Sequence, residues 1–167
     1  DKGIRLFSLD SEKDRGMLEC ENLRDIVWLG LRVCGIGSSG AYVCDDKGKL
    51  KGKCEFSGKI TGKFGVLDKK LIIEVREHAY GGKGDVYILD DGLDIKDRIS
   101  PDGELWYIDC RGEKTALLTQ NGVSVYDGKA RLVLSEKAPG AKTALLDGNG
   151  GIIAVGGGSA RAINNRR

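Results

Sequence analysis

Short apolar runs, many alternating with polar positions, follow one another along the whole chain, separated by turns rich in glycine and aspartate, as half-buried strands are. Residues 4–10 (Ile4-Arg5-Leu6-Phe7-Ser8-Leu9-Asp10) alternate in this way and stop at an aspartate before a polar turn, with 16–20 as the hairpin partner. Residues 24–29 hold the apolar run Ile26-Val27-Trp28-Leu29, and 31–34 follow after Gly30. The same grammar gives strands at 41–46, 50–56, 64–68, 71–75, 85–92, 93–99 and 105–109. Between the last two, Ser100-Pro101-Asp102-Gly103 is a strong turn, because proline pre-sets φ and Asp-Gly closes it.

The end of the chain repeats. Lys114-Thr115-Ala116-Leu117-Leu118 and the strands after it return as Lys142-Thr143-Ala144-Leu145-Leu146, an offset of about 28 residues that signals stacked supersecondary units. Each copy reads as strand, Asn-Gly turn, strand, glycine turn, strand. Strands ending in aspartate or glycine recur more widely, at 6–10, 41–45, 86–90, 124–127 and 153–156, each followed by a polar turn and a further strand. The repeating unit is therefore an antiparallel four-stranded meander. This arrangement resembles the β-propeller superfamily, in the broad WD-repeat-like sense of blades whose third strand ends in Asp before a turn and a fourth strand.

The resemblance implies an all-β array of about four to five blades: a partial unit over 1–22 and units near 23–58, 59–102, 103–137 and 138–167. It also implies closure of the array by the Ile4 segment joining the short last unit. A β-sandwich or barrel of the same strands is the alternative. The sequence has no Trp-Asp dipeptide and no Gly-His opening, so no functional residue is carried over from the WD family.

Composition agrees with a turn-dense fold. Twenty-six glycines stand against 2 prolines, with 40% hydrophobic residues, and the glycines punctuate strands instead of forming a linker. Twenty-seven Lys+Arg against 25 Asp+Glu leave +2, which provides no strong field for nucleic acid or an anionic membrane. Five cysteines (Cys20, Cys34, Cys44, Cys54, Cys110) form no Cys-x-x-Cys pair, so free thiols and a reducing, cytoplasmic setting are expected, with a Cys44–Cys54 cross-strand bridge as the exception to check. No apolar run approaches the ~20 residues of a membrane span. A chain that opens on Asp1, with Met17 as its only methionine, is expected to continue upstream.

Candidate chemistry is sparse. Gly35-Ile36-Gly37-Ser38-Ser39-Gly40 has the spelling of a dinucleotide fingerprint, but that motif needs a helix N-terminus next, and Ala41-Tyr42-Val43-Cys44 reads as a strand, so a hairpin is expected. Asp45-Asp46 and Asp90-Asp91 occupy the same place in two units and read first as turn residues. A central acidic pocket fed by Asp45, Asp90, Asp109 and Asp127 is the alternative, for a ligand-binding or hydrolytic propeller. His78, the only histidine, reads as a solvated loop residue. The basic tail offers Arg161, Arg166 and Arg167 to RNA in a third reading. With no catalytic constellation, no metal site and no cofactor expected, the leading reading is a non-enzymatic module that binds a protein partner, in or beside a larger assembly.

Overall fold

A computed structural model describes residues 3–7 and 13–163, and seventeen β-strands and no helix run through them. Sheet 1 is the pair β1 (Gly3–Phe7) and β2 (Asp14–Glu19). Sheet 2 is β3 (Leu23–Leu29), β4 (Arg32–Gly37), β5 (Gly40–Cys44) and β6 (Leu50–Glu55). Sheet 3 is β7 (Ile60–Leu67), β8 (Lys70–Arg76), β9 (Gly84–Leu89) and β10 (Ile95–Ile99). Sheet 4 is β11 (Leu105–Arg111), β12 (Lys114–Thr119), β13 (Gly122–Asp127) and β14 (Leu132–Glu136). Sheet 5 is β15 (Thr143–Leu146), β16 (Ile152–Gly156) and β17 (Ser159–Ile163). Every sheet is an antiparallel meander in chain order, so the strands form a propeller-like row of separate sheets and not a two-sheet sandwich.

Period-2 alternation makes the row cohere, because a strand buried on both faces feeds two seams at once. On β8, Leu71, Ile73 and Val75 pack against sheet 2 beside Cys34, Ile36 and Val43, while Ile72 turns to sheet 4 and meets the cluster of Ile108 and Leu117. On β12, Leu117 faces sheet 3, and Ala116 and Leu118 face sheet 5, where Ala144, Leu146 and Ile152 lie. Sheet 1 closes its seam with Ile4 and Leu18 on Val33 and Cys44. Each fully buried Leu or Ile at a seam contributes roughly 2 kcal/mol. The fourth strands β6, β10 and β14 are largely exposed edges, and Lys51, Lys53, Lys96 and Arg98 on the first two discourage pairing with another chain.

One turn recurs. The third strands of sheets 2, 3 and 4 end at Asp45, Asp90 and Asp127, whose Oδ1 accepts the N–H groups two and four residues on: Lys47 and Lys49, Gly92 and Asp94, Lys129 and Arg131. Asp147, which the pattern of strand ends does not single out, makes the same turn with Asn149 and Gly151. The residue three after each aspartate has positive φ: Gly48 at 75°, Leu93 at 68°, Ala130 at 58° and Gly150 at 78°. The turns also tie sheets together. Arg32, which opens β4, donates to Asp91 O at 2.7 Å, and Lys70, which opens β8, donates to Gly128 O at 2.7 Å, each reaching the residue after the turn aspartate of the next sheet. Gly52 on β6 lets the Gly92 carbonyl approach so closely that a Cβ would lie 2.0 Å from it.

Several expectations change. The two similar segments are not equivalent in space: β12 is the second strand of its sheet, whereas β15 is the first of its own and lies against β11 and β12. Accordingly 153–156 falls in a second strand, because the link 137–142 delivers the chain to the start of sheet 5 one strand earlier in the repeated text. The Ile4 segment does not close the array; β1 pairs with β2, and Ile4 is drawn onto sheet 2. The described sheets thus leave Phe7 and Met17 exposed at one end and Leu145, Ile153 and Val155 at the other. Asp10 lies outside the described residues. A Cys44–Cys54 bridge is not made, since the register sets Cys44 opposite Leu50 and Cys54 opposite Ala41, and all five thiols are free. The glycine motif at 35–40 is the β4–β5 hairpin, as expected.

Two of the four aspartate turns place a non-glycine residue at positive φ, Leu93 and Ala130, and these differ in burial, which sets opposite outcomes for removing their side chains. Glycine relieves roughly 1 kcal/mol of left-handed strain at either site. Leu93 is 2% exposed in the seam between sheets 2 and 3, and losing it costs about 2–5 kcal/mol. Leu93→Gly is therefore expected to lower the thermal midpoint by several degrees and Ala130→Gly to leave it nearly unchanged, as read by differential scanning calorimetry.

Candidate binding site on the inner strands

The first strands of sheets 2, 3 and 4 are bulged near their starts. Pairing with the second strand slips between Leu23 and Asp25, between Thr61 and Phe64, and between Leu105 and Tyr107. The residues left over are Arg24, the pair Gly62-Lys63, and Trp106. A bulge re-aims the side chain it releases, and these meet in one cleft of about 440 Å³ together with Phe64, Arg76, Tyr107 and Ile108. The row of sheets thus brings together residues up to 84 positions apart, from Arg24 to Ile108.

Polar contacts hold the bulges in place. Thr61, fully buried, donates its N–H to Ser38 O at 2.8 Å and its hydroxyl to Gly37 O at 2.5 Å. Arg24 donates from the same guanidinium nitrogen to Thr61 O and to Thr61 Oγ1, which fixes the guanidinium at the seam of sheets 2 and 3. Behind the bulge on β7 lies Glu74, fully buried, whose Oε2 accepts the Lys63 N–H at 3.0 Å and lies 3.8 Å from Arg76 Nε. A Cβ at Gly62 would fall 2.1 Å from that oxygen, so any side chain here would have to displace the Glu74 carboxylate. Glu74 Oε1 and Arg76 Nε find no hydrogen-bond partner among the described residues, which marks this as the one corner of the seam whose polar groups are incompletely matched among those residues. Among the described residues three cations, Arg24, Lys63 and Arg76, line the cleft, and no carboxylate does. Trp106 is 42% exposed, large for a residue between two packed sheets.

The aspartates expected to feed a pocket are placed differently. Asp45, Asp90 and Asp127 each close a hairpin on a separate sheet, and beyond the turn bonds their Oδ2 atoms meet Lys51 at 3.1 Å, Lys96 at 2.8 Å and Arg131 at 2.6 Å. Asp109, in β11, accepts the Leu146 N–H at 2.7 Å and joins sheet 4 to sheet 5. Among the described residues no three His, Cys, Asp or Glu side chains gather as metal ligands would. The Arg131 guanidinium and the turn N–H groups hold the Asp127 carboxyl down at about 2. For Asp90 burial opposes ionisation, but Lys96 and the N–H groups of Asp94 and Gly92 outweigh it and lower the pKa. Burial pushes the Cys34 thiol up to about 12 and that of Cys110 up to about 11, so neither is a thiolate nucleophile at neutral pH. His78 is exposed in the loop after β8. Arg161 is exposed on β17, while Arg166 and Arg167 lie outside the described residues.

No protein-family model matches the sequence, and no curated protein does. Solved structures share the fold. The chain is similar to the computationally designed Ika4 protein (TM-score 0.68, 11% identity, over 88% of this chain and 96% of that one). It is also similar to KlAtg21, solved in complex with the coiled coil of AgAtg16 (0.66, 13%, 96% and 58%), and to the Neurospora crassa Pan2 WD40 domain (0.63, 14%, 93% and 56%). The chain therefore spans less than two thirds of the length of these two natural proteins, and at such identities the likeness is one of fold.

Two outcomes follow from the charges. The folded Asp127 pKa lies below the ordinary 3.8, so its contribution is complete above about pH 4 and lost as pH falls through about 2. Urea midpoints followed over that window are expected to fall less steeply in Asp127→Asn than in the parent. Glu74→Ala strips the Lys63 N–H of its acceptor and leaves Arg76 without its buried partner, and is expected to cost about 3 kcal/mol by urea denaturation. Glu74→Gln, which keeps an acceptor for Lys63, costs less.

Proposed function

We propose that this chain is a non-enzymatic, protein-binding scaffold module of propeller-like build, and that it meets its partner at the cleft where β3, β7 and β11 bulge. The observation that carries the reading is the coincidence of three bulges. Each one interrupts backbone pairing on the innermost strand, and together they turn Arg24, Lys63 and Trp106 toward a single opening. Pairing also slips between the third and fourth strands of the same sheets, and what sets the inner bulges apart is that the side chains they release line one cleft. Arg and Trp are also the side chains most often found at the energetic centre of protein interfaces.

Two further facts favour binding over hydrolysis. The aspartates available for acid–base work are engaged by turn N–H groups and by Lys51, Lys96 and Arg131, so none is poised near neutral pH. KlAtg21, on the same fold, holds a coiled-coil partner. Five free cysteines, three of them buried, suit a reducing compartment, and we assign the module to the cytoplasm.

Panning a random dodecapeptide phage library on the full chain tests this reading. Enriched peptides are expected to lose at least about tenfold in affinity on Trp106→Ala, as removal of a central aromatic does, while the far-ultraviolet spectrum and thermal midpoint stay unchanged. Enrichment of no peptide that depends on Trp106 would defeat the proposal.

A further inference from the structure

The chemistry of the cleft narrows what it accepts. Among the described residues its lining carries three positive side chains and no negative one. Glu74, behind the Gly62-Lys63 bulge, offsets one of them through Arg76, which leaves the opening with a net charge of about two positive, as large as the formal +2 of the whole chain. The cleft thus carries as much net positive charge as the whole chain does formally, and the remaining charges sum to zero. Many of those balance locally, as at Asp45 with Lys51, Asp90 with Lys96, Asp85 with Arg98 and Asp127 with Arg131.

The cations are also unequally free. Arg24 is held by Thr61, which orients its guanidinium without neutralising it, because carbonyl and hydroxyl oxygens carry no net charge. The Arg76 side chain is 17% exposed, and its Nε finds no acceptor among the described residues. Lys63, half-buried, is held through its backbone N–H, and its ammonium makes no ion pair or hydrogen bond among the described residues. Guanidinium donors beside an ammonium and a half-exposed indole fit carboxylates adjoining an apolar side chain.

Resting on the protein-binding reading, we infer that the cleft recognises an acidic segment of the partner, its carboxylates meeting Arg24, Lys63 and Arg76 and an apolar side chain lying on Trp106. A polynucleotide fits less well. It needs cations spaced along a groove, whereas these three are confined to one opening in a chain of nearly balanced charge.

Fluorescence anisotropy on the full chain tests the inference with four labelled probes: a dodecapeptide of glutamate with two phenylalanines, its glutamine counterpart, the all-glutamate peptide, and single-stranded dT12. The acidic, phenylalanine-bearing peptide is expected to bind about tenfold tighter than either peptide control. Its affinity should fall several-fold from about 50 to about 300 mM salt. Lys63→Glu should weaken it by at least about tenfold, and Lys142→Glu, an exposed control in the link before β15, should not. Trp28→Phe leaves Trp106 as the only indole, so the same titration should shift its emission. Equal binding of the glutamine peptide, indifference to Lys63→Glu, or tighter binding of dT12 with the same dependence on Lys63 would overturn the inference. Trp106-dependent peptides from the phage library that proved neutral or basic would overturn it while leaving the protein-binding reading intact.

Discussion

Burial of the second strands on both faces is the constraint from which the rest of the structure follows. β4, β8 and β12 have almost no exposed residue beyond their first, and each gives alternate side chains to the sheet before and the sheet after. A sheet in this row has no core of its own, because its apolar side chains are halves of two seams. Stability is then a sum of neighbour terms, as in other stacked-repeat architectures. The terminal sheets leave apolar side chains uncovered for the same reason: Leu145, Ile153 and Val155 point away from sheet 4, and Phe7 away from sheet 2.

Seams made only of aliphatic side chains would let neighbouring sheets slide, and the polar ends prevent it. Arg32 and Lys70 each reach the carbonyl after the turn aspartate of the following sheet, so the turn is at once the corner of one hairpin and the anchor of the next seam. A carboxylate suits this corner because one oxygen accepts two N–H groups and the other pairs with a cation. Where the residue at positive φ carries a side chain, that side chain is put to use: Leu93 and Ala130 both pack into a seam. These aspartates stabilise geometry, and their full engagement there is what removes them from chemistry.

Pairing slips at both edges of sheets 2, 3 and 4, and the inner bulges are the ones whose released side chains share a cleft. First strands pair on one side only, so a bulge costs fewer hydrogen bonds there than it would in β4, β8 or β12. The released side chains converge because the sheets are stacked with their first strands adjacent, β3 beside β7 and β7 beside β11. Glu74 is the counterpart inside: a buried carboxylate tolerated because it satisfies the Lys63 N–H that the bulge frees and sits beside Arg76.

Alternating runs and Asp-Gly punctuation determine locally which residues are strands, which are corners, and that the unit is a meander. Strand β5 with Asp45, β9 with Asp90 and β13 with Asp127 are legible for that reason, since a turn's hydrogen bonds close within five residues. The likeness of 114–118 to 142–146 is equally plain in the text, yet it misleads about position, because local spelling carries no record of which strand of a sheet a segment becomes. The cleft is a property of tertiary structure alone. Arg24, Lys63 and Trp106 share no motif or spacing, and a bulge depends on how two strands are held in register by their neighbours, which only the stacked sheets decide.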